Sequence, residues 1–346
     1  MGKFLFILMG SCDMNNYIVH FPSFYKLVIV LYLLLGTIAP ISGAQARSKV
    51  PAAGKIYVTS WFGGMISVID VATRKFISRI SVGVQDHNIF LSPDQKFAWV
   101  TNNNDSTVSI IDTYTDHVVK TIRTGNGPRH TFFSPDGSEA YVTNEFDDTV
   151  TIIDPVTFNI LAIVKVGNMP HFPILVGDKL FVTNFGSGNV NVILRQTREV
   201  IATVPVGYGP LGAGATRDTK RVYAACHNSN SVAVIDVPTL RVIAHIHTDP
   251  GPVQVTVAPD QKYAYVTNDG RGTVQKIDIA ANQVVKTITI APDAGTHGIS
   301  FSADGKLLFV TNTGVDTVSI IDTRHDEVIT NIKVTTAPEG IAFKRP

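Results

Sequence analysis

The sequence predicts an all-β fold, a seven-bladed β-propeller with four antiparallel strands per blade. A tetrapeptide of the type aromatic-Val-Thr-Asn recurs seven times, and its aromatic residues stand 42, 42, 40, 42, 42 and 44 positions apart. Between these copies, short runs of β-branched and aromatic residues alternate with turns rich in Gly, Pro, Asn and Asp. Four such strands in each period of about 42 residues are typical of one propeller blade.

The tetrapeptide is the first of four runs in each period, and each run predicts one strand. The seven copies begin at Tyr57, Trp99, Tyr141, Phe181, Tyr223, Tyr265 and Phe309. The second run closes on an Asp whose side chain can bond the amides of the following turn. This Asp stands at positions 70, 112, 154, 236, 278 and 322, and only the fourth copy departs from it, with Leu194. The third run ends near a Gly, and the fourth leads into a turn such as Ser134-Pro135-Asp136.

The two ends of the repeat region predict how the ring closes. The chain enters its first blade at the tetrapeptide strand, so this blade lacks an innermost strand. Residues 338–343 supply a strand of that kind and end just where a further tetrapeptide would begin. We expect the last strand to pair with the first blade, because this pairing removes the open sheet edges.

Composition and charge restrict the class of function. The chain has 346 residues, of which 29 are Lys or Arg and 28 are Asp or Glu. This balance, without a basic block, argues against nucleic-acid binding. The hydrophobic fraction of 45% argues against disorder, because it is enough to form a core.

Residues 1–46 predict a signal peptide, and residues 47–346 the propeller. Lys26 precedes an apolar run at residues 27–35, and the triplet Ala44-Gln45-Ala46 is a typical cleavage site. An uncleaved anchor is the alternative, although the run is short for a bilayer. Translation beginning at Met14 would leave residues 1–13 untranslated. We expect an exported protein without a membrane span after cleavage, in the periplasm or, alternatively, at the cell surface or secreted.

The repeated tetrapeptide and its period resemble those of the YVTN-repeat, or YncE-like, β-propeller family. The resemblance covers residues 51–346, because the copies agree in register over this range. It implies an exported seven-bladed propeller. It also implies a relation in fold to the haem-binding propeller of cytochrome-type nitrite reductases and to archaeal surface-layer proteins.

Positions at which the seven copies differ predict a site at the mouth of the central channel. The position after the residue that opens each inner strand, which is Pro in five of the seven copies, is here termed the first channel position. It holds His87, Arg129, His171, Leu211, Val253, His297 and Glu339. The second channel position, one residue later, holds Asn88, His130, Phe172, Gly212, Gln254, Gly298 and Gly340. Imidazole and carboxylate groups are metal ligands and acid–base groups. We expect a ligand site here, with the following candidates: His87, Arg129, His171, His297, Glu339, Asn88, His130 and Gln254.

The metal-ligand candidates in this set are His87, His171 and His297. The alternative is a polar lining of a water-filled channel, with Glu339 paired to Arg129 or to a histidine. Cofactor identity stays open at this stage, with haem or a metal ion as the options. A covalent c-type haem is not expected, because the chain has no Cys-x-x-Cys-His motif.

The loops after each tetrapeptide predict a contact surface for a protein or small-molecule partner. They open on the same face as the channel mouth, and most of their candidate residues are aromatic, a type that is enriched in contact surfaces. The candidates are Trp61, Phe62, Phe146, Phe185, Tyr208, His227 and Arg271. The alternative is that some of these side chains fold back onto the blade below.

The sequence favours a binding module without catalysis. A haem- or metal-binding redox protein and a lactonase-type hydrolase are the alternatives, since fold alone does not choose among them. The chain has no Gly-x-Ser-x-Gly, Walker or His-Glu-x-x-His motif.

Overall fold

A computed structural model describes residues 54–346. The predicted signal peptide and the alternative start at Met14 lie outside the described residues. Within them, the chain forms 28 strands and one short 3-10 helix at His227–Ser229. None of the described helices is long and apolar enough to cross a bilayer.

The strands form seven four-stranded antiparallel sheets, which confirms the predicted fold class. Blade I contains β1 (Lys55–Ser60), β2 (Met65–Asp70), β3 (Lys75–Ser81) and the last strand of the chain, β28 (Pro338–Lys344). Blade II contains β4 (Asp86–Leu91), β5 (Phe97–Asn102), β6 (Thr107–Asp112) and β7 (His117–Arg123). Blade III contains β8 (Pro128–Phe133), β9 (Ala140–Asn144), β10 (Thr149–Ile153) and β11 (Ile160–Lys165). Blade IV contains β12 (Pro170–Val176), β13 (Lys179–Asn184), β14 (Asn189–Leu194) and β15 (Glu199–Pro205).

The remaining three blades repeat the same order. Blade V contains β16 (Pro210–Ala215), β17 (Arg221–Cys226), β18 (Ser231–Asp236) and β19 (Arg241–His247). Blade VI contains β20 (Pro252–Val257), β21 (Tyr263–Asn268), β22 (Thr273–Asp278) and β23 (Gln283–Thr289). Blade VII contains β24 (Thr296–Phe301), β25 (Leu307–Asn312), β26 (Thr317–Asp322) and β27 (Glu327–Lys333).

The ring closes through β28, as the sequence predicts. This strand pairs antiparallel with β1, and its register places Ile341 opposite Val58 and Phe343 opposite Ile56. The inner strands then contact one another in the order β24, β28, β4, β8, β12, β16, β20 and back to β24. The first channel positions of five successive blades therefore follow one another around the channel: His297, Glu339, His87, Arg129 and His171.

The hydrophobic core lies between neighbouring blades. Side chains of the tetrapeptide strands are buried on both faces, and the largest of these are the aromatic residues Trp99, Tyr57, Tyr141, Tyr223 and Tyr265. Cys226 is buried as well. The Asp that ends the second strand accepts amide bonds from its own turn, as in Asp70 with the Thr73 N–H at 2.7 Å. The repeated residues thus form the core and the turns of the blades, whereas the residues at the channel positions differ from blade to blade.

Candidate metal centre in the channel

A β-bulge in every inner strand presents two residues in succession at the channel. In blade III, Arg129 and His130 together oppose the single residue Thr143 on β9. The same two-against-one pairing occurs at the first and second channel positions of the other six blades. Because a bulge redirects side chains locally, both positions can contribute to one site.

The tetrapeptide threonine bonds the bulge in six of the seven blades, and blade V has Ala225 at this position. The Thr143 hydroxyl accepts the N–H of His130 at 3.1 Å and donates to the carbonyl of His171, in the next blade, at 2.7 Å. Thr101 makes the corresponding bonds to the Asn88 N–H and the Arg129 carbonyl. The threonine therefore satisfies the amide that the bulge leaves unpaired and connects neighbouring blades at the level of the site.

Glycines at the second channel position let the inner strands approach closely. A Cβ atom at Gly298 would lie 2.1 Å from the Glu339 carbonyl oxygen, and one at Gly340 would lie 2.8 Å from the Asn88 Cα. Only glycine permits this spacing. The approach brings Glu339 and His87 next to one another on adjacent strands.

Three histidines meet at the centre of this arrangement. One ring nitrogen from each of His87, His130 and His171 lies within 4.8 Å of the other two. The ring centroid of His130 is 4.9 Å from that of His87 and 4.6 Å from that of His171. His297 lies further out, with its ring centroid 6.2 Å from that of His87. The sequence placed His130 among the channel candidates but not among the metal ligands, and the structure groups it with His87 and His171.

Several polar atoms of this cluster have no hydrogen-bond partner within the described residues. They are both ring nitrogens of His130, Nδ1 of His171, Nδ1 of His297, Oδ1 of Asn88 and Oε2 of Glu339. His130 is 1% exposed and His171 6% exposed. Buried polar groups are nearly always bonded, so a concentration of unpaired ones marks a place for a ligand, an ion or water.

Burial also sets the protonation of the cluster. Desolvation, with the charge of Arg129 contributing to each, holds the pKa values of His87, His130 and His171 well below the usual histidine range. Burial lowers the pKa of His297 to about 4. These rings are therefore neutral at pH 7, and a neutral imidazole offers a lone pair to a metal ion.

Two carboxyl groups stand near His87, Glu339 in space and Asp86 as its neighbour in the chain. Glu339 Oε2 is 3.6 Å from His87 Nε2, and burial raises the pKa of Glu339 to about 8. Asp86 accepts the Ser60 N–H at 2.6 Å, leaves its Oδ1 unpartnered and has a pKa raised by burial to about 7. Asp86 was not among the residues that the sequence predicts for the site. Its signal is that Asp86 stands where the inner strand usually opens with Pro.

Arg129 and Trp61 lie at the loop end of the channel. The Arg129 guanidinium is 5.2 Å from the centre of the Trp61 ring and is paired with the carboxylate of Glu145. Trp61 in turn contacts His87 edge-on, with ring centroids 5.4 Å apart. Glu145 neutralises the cation nearest to the histidines, which favours a second cation among them. Trp61, predicted as a loop-face contact, thus belongs to the channel site.

A cavity of about 50 Å³ lies next to the cluster. Its walls include six of the predicted channel candidates: His87, Asn88, His130, Gln254, His297 and Glu339. Phe172, at the second channel position of blade IV, and three isoleucines are among its apolar residues. A water needs about 10–15 Å³ measured in this way, so the cavity admits an ion with a few small ligands.

The other loop-face candidates differ in exposure. Phe62, Phe146 and Tyr208 are 72%, 66% and 77% exposed, whereas Phe185 is half-buried. His227 pairs with Asp269 at 3.1 Å, and the exposed Arg271 lies 3.9 Å from Asp249. Three of the predicted contact residues, Phe62, Phe146 and Tyr208, therefore have exposed aromatic rings.

Two models of β-propeller families match parts of the chain. Residues 23–139 match the family described as YNCE-like beta-propeller, and residues 171–340 match the one described as Lactonase, 7-bladed beta-propeller. Both matches support the predicted resemblance to the YncE-like propellers. None of the curated proteins matches the chain.

Solved structures of similar shape include three propellers at low identity. Hydrazine synthase of Kuenenia stuttgartiensis is 20% identical with a TM-score of 0.69, over 75% of this chain and 95% of that chain. A functionally unknown protein from Desulfotomaculum acetoxidans is 15% identical with a TM-score of 0.75, over 85% of this chain and all of the other. The dihydro-heme d1 dehydrogenase NirN is 14% identical with a TM-score of 0.65, over 88% and 78% of the two chains. At these identities the likeness concerns the fold.

Proposed function

We propose that this protein is an exported binding module whose channel holds one divalent transition-metal ion on His87, His130 and His171. The observation that carries the proposal is His130, a fully buried imidazole with both ring nitrogens unpartnered within the described residues, between two other neutral histidines. A bound ion would give these lone pairs a partner and offset the cost of burying them.

The geometry fits a three-histidine site with an open position. Zinc–imidazole bonds of about 2.1 Å place two ligand nitrogens roughly 3.4 Å apart in a tetrahedral site. The nitrogens here lie within 4.8 Å of one another, so the rings need to turn inward by about 1 Å. Imidazole ligands suit zinc, copper, nickel and iron. Glu339, next to His87, can add a carboxylate, and the 50 Å³ cavity leaves room for a small exogenous ligand.

A haem does not fit inside the channel at this level. Pockets for ligands of that size measure roughly 300–1,000 Å³, whereas the cavity beside the histidines measures about 50 Å³. Trp61 and Arg129 lie over the cluster at the loop end. The fold likeness to NirN therefore does not extend to a haem site built on these histidines.

Metal-assisted hydrolysis is the second candidate function. The match of residues 171–340 to the lactonase family favours it, and a metal ion with an open position can polarise a carbonyl group. Hydrolysis of simple lactones by the metal-loaded protein, lost in a His130→Ala variant, would support this activity. Equal rates in both proteins would exclude the channel as its site.

The loop face supports binding of a protein partner as a further part of the proposal. Phe62, Phe146 and Tyr208 present exposed aromatic rings on the face that surrounds the channel mouth. Aromatic side chains are enriched in protein–protein contacts. Replacing all three by Ser, with exposed Tyr114 of the opposite face as the control substitution, should abolish any specific complex captured with the native protein.

Cobalt(II) titration tests the metal proposal. We expect the native protein to bind one Co²⁺ ion with visible d–d absorption, and a His130→Ala variant to bind it more than about 100-fold more weakly, since outer-shell changes alone cost 10- to 100-fold. His245→Ala, on the exposed outer strand of blade V, is the matched control and should bind as the native protein does. Unchanged affinity in His130→Ala would contradict the proposal.

A further inference from the structure

A second and larger cavity lies at the end of the channel opposite the tetrapeptide loops. It measures about 510 Å³, and its walls include the ends of inner strands and the turns after them, such as residues 91–93 and 255–257. It adjoins the 50 Å³ cavity of the histidine cluster, because the two cavities share six wall residues: Ile89, Phe90, Phe172, Gln254, Ile299 and Ile341.

The loop end of the channel is more closely packed around the histidines. The Arg129 guanidinium lies over the Trp61 ring, and the edge of that ring contacts His87. His87, His130 and His171 are all buried. A small molecule therefore reaches the cluster more directly from the large cavity than past Trp61 and Arg129.

Gln254 lies where the two cavities meet. It is half-buried, lines both cavities and is the only polar residue among the six that they share. Its side chain lies against the neighbouring inner strand, where blade V has Gly212: a Cβ atom there would be 3.2 Å from the Gln254 Cδ. A long side chain in this place narrows the passage from the large cavity to the histidines.

The smaller cavity restricts what can bind beside the histidines. One water needs about 10–15 Å³, so 50 Å³ holds about four non-hydrogen atoms. Two of its wall residues, Asn88 and Glu339, have a buried side-chain oxygen with no hydrogen-bond partner within the described residues. A ligand that carries N–H or O–H groups would supply the missing partners.

We propose that the open position of the metal ion takes a small molecule with N–H or O–H groups and about four non-hydrogen atoms or fewer. The molecule enters from the large cavity, gives a lone pair to the ion and donates hydrogen bonds to Asn88 and Glu339, and Gln254 sets the upper limit of its size. This inference rests on the proposed metal site and adds its ligand class. Even small lactones exceed this size, so the limit weighs against hydrolysis in the native channel.

Cyanamide and azide, added to the Co²⁺-loaded protein, test the ligand class. Both are linear and equally short, but only cyanamide has N–H groups. We expect each of them to change the d–d absorption and saturate. Asn88→Ala should weaken cyanamide about five-fold or more, because it removes a hydrogen-bond acceptor, and should leave the affinity for azide unchanged.

Benzylcyanamide tests the size limit, because it has the same group for binding the ion and a bulky body. We expect it to leave the spectrum of the native protein unchanged at concentrations at which cyanamide saturates. Gln254→Ala widens the passage and should admit it. Gln196→Ala, in the exposed turn between β14 and β15, is the matched control and should exclude it as the native protein does.

Stopped-flow mixing tests the entry route. Gln254→Trp fills the passage and should slow the association of azide about ten-fold or more. Where this variant does not fold, the benzylcyanamide comparison decides. Absence of Co²⁺ binding would overturn both the metal site and this inference. Co²⁺ binding without a response to cyanamide, benzylcyanamide binding to the native protein, or equal exclusion of it by Gln254→Ala would overturn this inference alone.

Discussion

The threonine of the repeated tetrapeptide acts at the level of single hydrogen bonds to shape the channel. Thr59, Thr101 and Thr143 donate to the carbonyls of His87, Arg129 and His171, at 2.7–2.9 Å. Each also accepts the amide of its own blade's bulge, as Thr143 does from His130. A residue that recurs in six of the seven tetrapeptides therefore positions the residues that vary.

Replacement of one such hydroxyl should destabilise the fold. Thr143→Val keeps the shape but leaves the His130 N–H and the His171 carbonyl without this partner, so we expect a loss of about 1–3 kcal/mol in the free energy of unfolding. Thr289→Val, on an exposed outer strand, should change it by less than about 0.5 kcal/mol. Urea denaturation measures both. Equal losses in the two variants would show that the channel threonines contribute no more to the free energy of unfolding than an exposed threonine does.

The ion pair of His227 and Asp269 should make stability depend on pH. The hydrogen bond to Asp269 raises the pKa of His227, so the contribution is fully present below the unfolded pKa of about 6.5 and is lost as the pH rises through the folded value. Both side chains are about a third exposed, so solvent screens the pair and the effect is below about 1 kcal/mol.

Comparison of the native protein with Asp269→Asn measures this effect. The native protein should be the more stable of the two at pH 5.5, and the difference should shrink by pH 8.5. His245→Asn serves as the control, because His245 is exposed and has no acidic partner among residues 54–346. A stability difference between native and Asp269→Asn that does not change between these pH values would contradict the assignment.

At the scale of elements, the repeat predicts the strands but not the bulges. Strand order and ring closure follow from the spacing of the tetrapeptides and from the missing inner strand of blade I. The bulge depends on pairing register, which the sequence of one strand does not show. It brings the second channel position into the site, and this is why His130 joins His87 and His171 in place of His297. Asp86 lies one residue before the first channel position, where five of the copies have Pro, so the pattern of channel positions does not predict it.

Closure by β28 gives a test at this scale. A chain that ends before Ile341 loses the pairs with Val58, Tyr57 and Ile56, together with the core contacts of Ile341 and Phe343. We expect it to have no cooperative thermal transition. A chain that lacks only Arg345 and Pro346 keeps all of β28 and should melt as the full chain does. Thermal melts followed by circular dichroism would detect the difference. If both truncated chains melted at the same temperature, closure by β28 would not be required for folding.

The whole molecule combines a regular scaffold with an asymmetric channel. Inner strands of blades VII, I, II, III and IV bring ionisable groups to one arc, whereas blades V and VI supply Leu211 and Val253. Aromatic residues line the opposite end, with arginines at its rim. The two ends of the channel are thus built differently, with a buried histidine cluster toward the loop face and an aromatic lining toward the other face.

Elemental analysis of the protein, exported and purified without chelator, tests the central claim most directly. We expect one equivalent of zinc, copper, nickel or iron per chain, absent from His130→Ala and retained in His245→Ala, with no Soret band in the absorption spectrum. A well-folded native protein that neither contains such an ion nor takes one up on dialysis against these metals would contradict the claim. A Soret band that His130→Ala removes would contradict it as well.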